Sequence, residues 1–257
     1  MRIDKKLVED GFFETRTKAQ EAISKGFVMV DGKVITQASF DAYTGKITVM
    51  KDAIRYVSRG GYKLEKAILA FNLDFKDKIV VDIGASTGGF TDCAIKHGAK
   101  LVYAIDVGTM QLDTKLRQDN RVISLENTNF LDVSDEFNND YFVMDVSFIS
   151  ITKLLPKIKE MLKGRVLVTL IKPQFEAGRI NFKNGVLHDR KKHEVILKEI
   201  FDFSSLIGLV LRGITFSPIK GKSGNIEYLA YFKDEGKALS VDIKRLVCDA
   251  FNGVMEC

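Results

Sequence analysis

Four charged residues in this sequence stand where charge can do chemistry. Asp145 lies in the apolar run "DYFVMDVSF", Lys172 ends "GRVLVTLIKP", and Glu227 opens "NIEYLAYFK". Lys63 lies in "SRGGYKLEKAI", on the first turn of a stretch that follows two glycines. Pro173 disfavours helical geometry at Lys172 and keeps it extended, so its side chain projects beyond the strand. A lysine that is to accept a proton must first lose its own. Its ordinary pKa of about 10.4 falls only through burial or a neighbouring cation. Two lysines with two carboxylates are therefore candidates for proton transfer, with the carboxylates holding the cations in place. The bland alternative is four solvated side chains and an ordinary Gly-Gly linker.

A second constellation sits in "VVDIGASTGGFTD". Asp82, Gly84, Gly88 and Gly89 occupy a strand-to-helix turn, where glycine lets the backbone approach a ligand closely. Asp106 ends the next strand and can accept hydrogen bonds from a ribose diol. A dinucleotide site wants G-x-G-x-x-G, whereas this turn reads G-x-x-x-G-G with Ser86 between. Asp82 before the turn suits an ammonium better than a pyrophosphate. The D-x-G-x-x-x-G-G form resembles the first motif of Class I methyltransferases, and S-adenosylmethionine is the expected cofactor. Gly84, Ser86, Thr87 and Gly88 are expected near its methionine part, Asp106 at its ribose and Asn129 on the adenine side. Glu126 and Asp132 remain alternatives for the adenine amino group.

The elements that must position these residues read as alternating strands and helices from about residue 77. Strands are expected at "KIVVDIG", "KLVYAIDVG", "RVISLEN", "DYFVMDVSF" and "GRVLVTLIKP". Helices are expected at "GFTDCAIKHG", "TMQLDTKLRQD", "ISITKLLPKIKEML" and "HDRKKHEVILKEIFDFSSL". "LVLRGITFSP" and "NIEYLAYFK" would close the series as a strand pair, before a helical tail. Such alternation implies an α/β fold with a doubly wound, mostly parallel, Rossmann-like sheet. Ligands bind beyond the carboxyl ends of such strands, where the charged residues above lie.

The first fifty residues are organised differently. Ile3, Leu7 and Val8 suggest a short helix. Thr17 and Gln20 suggest a capping box for a second, whose apolar stripe is Ala19, Ala22 and Ile23. Gly26 would end it, and Val28, Val30, Asp31-Gly32 and Val34 read as a hairpin with a type I′ turn. This small α+β unit resembles the S4-like RNA-binding domain. Arg2, Lys5, Lys6, Arg16, Lys18, Lys25 and Arg59 would then meet backbone phosphates, which give affinity rather than sequence choice.

Composition sets the bounds. The chain has 257 residues, 46% hydrophobic, with a net charge of +5, which permits a nucleic-acid partner without requiring one. Cys93, Cys248 and Cys257 form no C-x-x-C pair, so neither a disulfide framework nor a metal site is expected. The charged start is no signal peptide and no run is long enough to span a bilayer, so the expectation is a soluble cytoplasmic protein without membrane partners. His97, His188 and His193 are scattered and read as surface or helix-end histidines. Nothing fixes the oligomeric state.

Lys63, Asp145, Lys172 and Glu227 together resemble the K-D-K-E tetrad of FtsJ-like ribose 2′-O-methyltransferases. With "VSRGGYKL", "DIGASTGGFTD", "MDVSFIS", "IKPQFE" and "GNIEYL" in that order, the chain resembles the TlyA-type rRNA 2′-O-methyltransferase family, also labelled haemolysin A, from about residue 2 to 232. The resemblance implies a Class I S-adenosylmethionine-dependent methyltransferase acting on a cytidine ribose in ribosomal RNA, with rRNA or ribosomal subunits as partners. The implied organisation is an S4-like domain over 1–52, a linker over 53–61 with Gly60 and Gly61 as its hinge, and a methyltransferase domain over 62–257. It implies Lys172 as general base, Lys63 beside it as partner and orienter, and Asp145 and Glu227 as electrostatic positioners. Three rivals carry less. A base methyltransferase would place a cysteine or N-P-P-Y-like loop where "DVSF" stands. A pore-forming haemolysin would want a long amphipathic hairpin. A non-catalytic assembly factor would not need the four charged residues.

Overall fold

The computed structural model describes residues 1–24, 26–42, 44–49, 55–134, 137–178, 185–221 and 223–253. The expectations for Lys25, residues 53 and 54 of the linker and Cys257 lie outside these.

Two helices and three short strands make up the front unit: α1 (Ile3–Glu9), α2 (Arg16–Ser24), β1 (Val28–Val30), β2 (Lys33–Ile35) and β3 (Ile47–Val49). The strands form an antiparallel sheet in the order β2-β1-β3. Asp31 and Gly32 both have positive φ, as the type I′ turn requires. At the end of α2, Gly26 N–H bonds to the Ile23 carbonyl and Phe27 N–H to that of Ala22, the paired bonds of a Schellman motif. The capping box is not where the sequence suggests. Thr15, not Thr17, accepts from the Lys18 amide, and Gln20 turns away to donate to Asp4. Asp4 is fully buried, and its carboxylate also takes Arg2 and Arg16. Ile3, Leu7, Ile23 and Phe27 fill the small core around it.

The larger unit continues with α3 (Gly60–Phe71), β4 (Ile79–Ile83), α4 (Gly89–Lys96), β5 (Leu101–Ile105), α5 (Thr114–Arg117), β6 (Val122–Leu125), β7 (Tyr141–Met144) and α6 (Leu155–Leu162). Then come β8 (Val166–Ile171), α7 (Pro173–Glu176), α8 (Arg190–Leu206), β9 (Val210–Phe216), β10 (Tyr228–Lys233) and α9 (Ile243–Gly253). Among the described residues the sheet order is β6-β5-β4-β7-β8-β10-β9, parallel except at β10. Side chains of β8 alternate between two cores. Leu167 and Ile171 join the layer under α6, α8 and α9, while Val168 and Leu170 join the layer under α3 and α4. Every residue of β8 is buried, as in a strand covered on both faces.

Three expectations change. The helix expected over "TMQLDTKLRQD" shrinks to α5, because Asp113 caps at Lys115 and the Glu126 carboxylate holds the amides of Met110, Gln111 and Leu112 outside a helix. The fourth strand stops at Met144, so "DVSF" is a loop in which Phe148 has φ +65°. Gly60 and Gly61 are not a hinge. They form the first turn of α3, and a Cβ on Gly61 would lie 2.3 Å from the Tyr56 side chain. The preceding segment is docked on the core. The Val57 amide donates to Asp92, the Tyr56 hydroxyl to Glu65, and Arg55 pairs with Glu65. Tyr62 joins the two units, its ring packing edge-on against Phe27 and Tyr56.

Candidate active site

Strand order explains how distant residues meet. β7, β8 and β10 are neighbours, and β10 runs antiparallel, so its start lies beside the end of β8, with Tyr228 opposite Ile171. Asp145 just beyond β7, Lys172 just beyond β8 and Glu227 just before β10 therefore share one edge, at strand spacings of about 5 Å. Lys63, on the first turns of α3, reaches the same edge. Lys172 has φ −112° and ψ 93°, the extended geometry that Pro173 imposes.

The four side chains form a chain of alternating charge. Lys63 Nζ donates to Glu227 Oε2 at 2.6 Å and lies 3.6 Å from Asp145 Oδ2. Lys172 Nζ lies 2.5 Å from Asp145 Oδ1 and donates to Ser147 Oγ at 2.9 Å. Lys63, Lys172 and Glu227 are buried. The two lysines are thus not simply adjacent cations, as the sequence suggested; Asp145 contacts both. Burial works against the charged form of Lys63, but Asp145 and Glu227 outweigh it and raise its pKa. Burial likewise opposes ionised Asp145, and Lys63 and Lys172 outweigh that, lowering its pKa.

Two clefts meet at this edge. One, of about 600 Å³, is lined by the four charged residues and, from the front unit, by Ser24, Gly26, Val34 and Thr36. The other, of about 370 Å³, runs past Asp106, Val107, Gln111 and Asn129. Gly84, Ser86, Asp145, Ser147 and Phe148 line both. Gly84 has φ +81°, and a Cβ there would lie 3.0 Å from the Asp145 carbonyl oxygen, so the turn between the clefts has no room for a side chain.

Of the residues expected at a cofactor, Gly84, Ser86, Asp106 and Asn129 line the second cleft, and Gly88 lines neither. Asp106 accepts the amides of Ser86 and Gly108, which leaves lone pairs for a diol. Thr87 lines the first cleft, its carbonyl accepting the Asp113 amide. Gly88 has φ +94° and packs under Leu112 and Leu116. Asn129 Oδ1 caps the short 3₁₀ turn at Phe130 by accepting from Leu131, which leaves its amide NH₂ for a ligand. Glu126 is committed to the backbone of residues 110–112, and neither it nor Asp132 lines the cleft. Asp82 is fully buried; Thr91 donates to its Oδ2, while Oδ1 has no partner among the described residues. Burial raises its pKa to about 7. Asp82 itself lines neither cleft, whereas Asp106 beside the turn at Gly84 and Ser86 fits the diol of a nucleoside.

The residues expected at RNA divide. Arg2 and Arg16 are half-exposed but hold Asp4. Lys6 pairs with Asp10 and Lys18 with Glu14, both on the surface. Lys5 is exposed. Arg59 is 8% exposed, on the wall of the larger cleft rather than on the outer face. Gly26, which ends α2 with φ +75°, lies next to its Nε. Among the histidines, His193 is not at the surface. It is buried between the Tyr228 hydroxyl and the Leu187 carbonyl. His97 is half-buried near Tyr56 and His188 is exposed.

Sequence reasoning missed Ser147 and Asn225. Asn225 lines the larger cleft and clamps the Leu187 amide and the Gly185 carbonyl. The only available signal was their closeness to Asp145 and Glu227 in "DVSF" and "GNIE".

Comparison with known proteins adds the following. A model described as FtsJ-like methyltransferase matches residues 56–234, and one described as S4 domain matches 1–42. A curated relative from Brachyspira hyodysenteriae, "Hemolysin A", is 50% identical over 239 residues, covering 90% of this chain and 99% of that protein. The Mycobacterium tuberculosis "16S/23S rRNA (cytidine-2'-O)-methyltransferase TlyA" is 36% identical over 247 residues, 93% of this chain and 92% of that protein. A solved structure from Streptococcus thermophilus that carries a haemolysin label is 40% identical, with a TM-score of 0.77, covering 98% of this chain and 96% of that one.

Proposed function

The chain belongs to the FtsJ-like methyltransferases, with an S4 domain ahead of the catalytic unit, and from that premise we propose that it is an S-adenosylmethionine-dependent rRNA (cytidine-2′-O)-methyltransferase. One observation carries the reading: the alternating chain Glu227–Lys63–Asp145–Lys172 stands where the two clefts meet.

S-adenosylmethionine supplies an activated methyl on a sulfonium, which leaves as a neutral thioether. What remains for the protein is to orient a ribose hydroxyl in line and to take its proton. Lys172 is the base. It contacts one carboxylate and a neutral hydroxyl, whereas Lys63 is held by two carboxylates and stays charged. As the 2′-oxygen bonds to the methyl, its proton passes to neutral Lys172 Nζ. Lys63 orients the hydroxyl, while Asp145 and Glu227 fix both cations. Asp82, Gly84, Ser86, Thr87, Gly88, Asp106 and Asn129 hold the cofactor.

The S4 domain is the front unit and the catalytic domain begins with the docked segment ahead of α3, with RNA phosphates met by Arg2, Lys5, Lys6, Arg16, Lys18, Lys25 and Arg59. The partner is rRNA or a ribosomal subunit, which places the reaction in the cytoplasm. Among the described residues no helix is long and apolar enough to cross a membrane.

Ribosomal subunits from a strain lacking the gene, incubated with the protein and tritiated S-adenosylmethionine, test this. Digestion should release label as 2′-O-methylcytidine. Label on a base, or none, would overturn the reading.

A further inference from the structure

The two loops that carry Asp145 and Lys172 are joined at three levels. Nearest the sheet, Lys172 Nζ contacts Asp145 Oδ1 and donates to Ser147 Oγ at 2.9 Å. Further out, the Phe148 and Phe175 rings pack with centroids 5.0 Å apart. At the far end, Glu176 accepts from the Ser150 hydroxyl and the Ile151 amide. This lacing, together with the left-handed backbone of Phe148, fixes the loop on which Ser147 stands. Ser147 itself is exposed and lines both clefts, so its contact with Lys172 is not forced by core packing.

We propose that Ser147 is a positioning residue for the methyl transfer: its hydroxyl holds Lys172 Nζ at the mouth shared by the two clefts. The proposal rests on the reading of Lys172 as the base. A lysine that loses and regains a proton in each cycle needs a neighbour that suits both forms. A carboxylate only accepts, and so favours the ammonium. A hydroxyl accepts from the ammonium and, after rotating, donates to the neutral amine. Among the described residues Ser147 is the neutral hydrogen-bond partner of Lys172, whose Nζ also lies 5.9 Å from the Phe175 ring centroid, whereas Asp145 from the end of β7 is its charged partner. Among the described residues, Lys63 and Arg59 from the start of α3, and Glu227 just before β10, are the other charges lining the cleft. Without Ser147, Lys172 keeps Asp145 but loses the contact that aims it.

The test uses the full chain with ribosomal subunits, comparing wild type with Ser147→Ala, Ser147→Thr and Lys172→Ala. The kcat, both KM values and the dependence of kcat on pH from roughly 6 to 10 are measured. Ser147→Ala should lower kcat about tenfold, the effect of one hydrogen bond lost from an aligned group, with both KM values within about twofold of wild type. Its rising pH limb should stay where wild type has it, since the hydroxyl serves the ammonium and the amine alike. Ser147→Thr, which keeps the hydroxyl, should recover most of the rate. The proposal is overturned if Ser147→Ala leaves kcat unchanged, or if Ser147→Thr is as impaired as Ser147→Ala. Lys172→Ala separates the two readings. Full transfer by that variant would remove the base assignment itself. Loss there with an unaffected Ser147→Ala would remove only the present inference.

Discussion

Lys63 and Lys172 lie at the same sheet edge, yet their surroundings differ in a way that neither residue type nor spacing could announce. Glu227 is nearly buried against Lys63, and Asp145 lies between the lysines. The four residues were legible because each sits at the end of an apolar run or just after Gly-Gly. The order in which they touch was not, because it depends on which strands are neighbours. Asp82 leads to a prediction at this scale. Its carboxyl has a pKa near 7 in the folded protein against an ordinary 3.8, so its ionised form is disfavoured as pH rises between them. This group therefore makes the ligand-free protein less stable on going from acid to neutral pH. On the proposed reading, in which Asp82 serves the cofactor's ammonium, S-adenosylmethionine affinity should weaken below pH 7 by up to about tenfold per unit. Calorimetric titration of wild type and Asp82→Asn should show that slope in the first and its absence in the second.

Secondary elements were read well where apolar runs were continuous and poorly where a side chain competes for the backbone. β4, β5, β6 and β8 fall inside the expected runs. α5 is shorter than expected because Glu126, from the loop after β6, captures amides that a helix would use. Thr17 looked like a cap by spacing, but α2 already starts at Arg16, and the Thr15 hydroxyl accepts the Lys18 amide three residues on. Gly-Gly read as a hinge because glycine serves both flexibility and close approach; the Tyr56 side chain against Gly61 and the close approach of Gly89 to both glycines distinguish the two. Gly61→Ala should accordingly destabilise the protein by about 1–3 kcal/mol, the ordinary cost of overpacking. Urea unfolding should show a lower midpoint; an unchanged midpoint would restore the hinge. Glu176→Ala should unlace the loops after β7 and β8 and leave the Ile151 amide without its acceptor. It should lower kcat more than cofactor affinity, as measured by steady-state assay beside calorimetry.

At the scale of the molecule, two units share one cleft. The front unit contributes Ser24, Gly26, Val34 and Thr36 to its wall, and Arg59 fills the seam. The α/β class and the division into two units were legible in periodicity; their joint cleft was not, since it depends on how they dock. Asp4 is the pivot of the front unit. Burial opposes its charge, but hydrogen bonds from Arg16, Arg2 and Gln20 hold its pKa well below the usual carboxylate range. A depressed pKa contributes stability above the ordinary value near 3.8, and that stability is lost as pH falls. Asp4→Ala should cost the front unit about 1–3 kcal/mol and weaken rRNA binding while leaving S-adenosylmethionine affinity unchanged. Filter binding beside calorimetry checks both halves. The central claim is that this edge transfers a methyl group with Lys172 as the base. Tritiated S-adenosylmethionine and ribosomal subunits, supplied to wild type and to Lys172→Ala, test it most directly. The account predicts label on a cytidine 2′-oxygen with wild type, and a rate at least about a hundredfold lower with the variant at unchanged cofactor affinity. Full transfer by Lys172→Ala would contradict it.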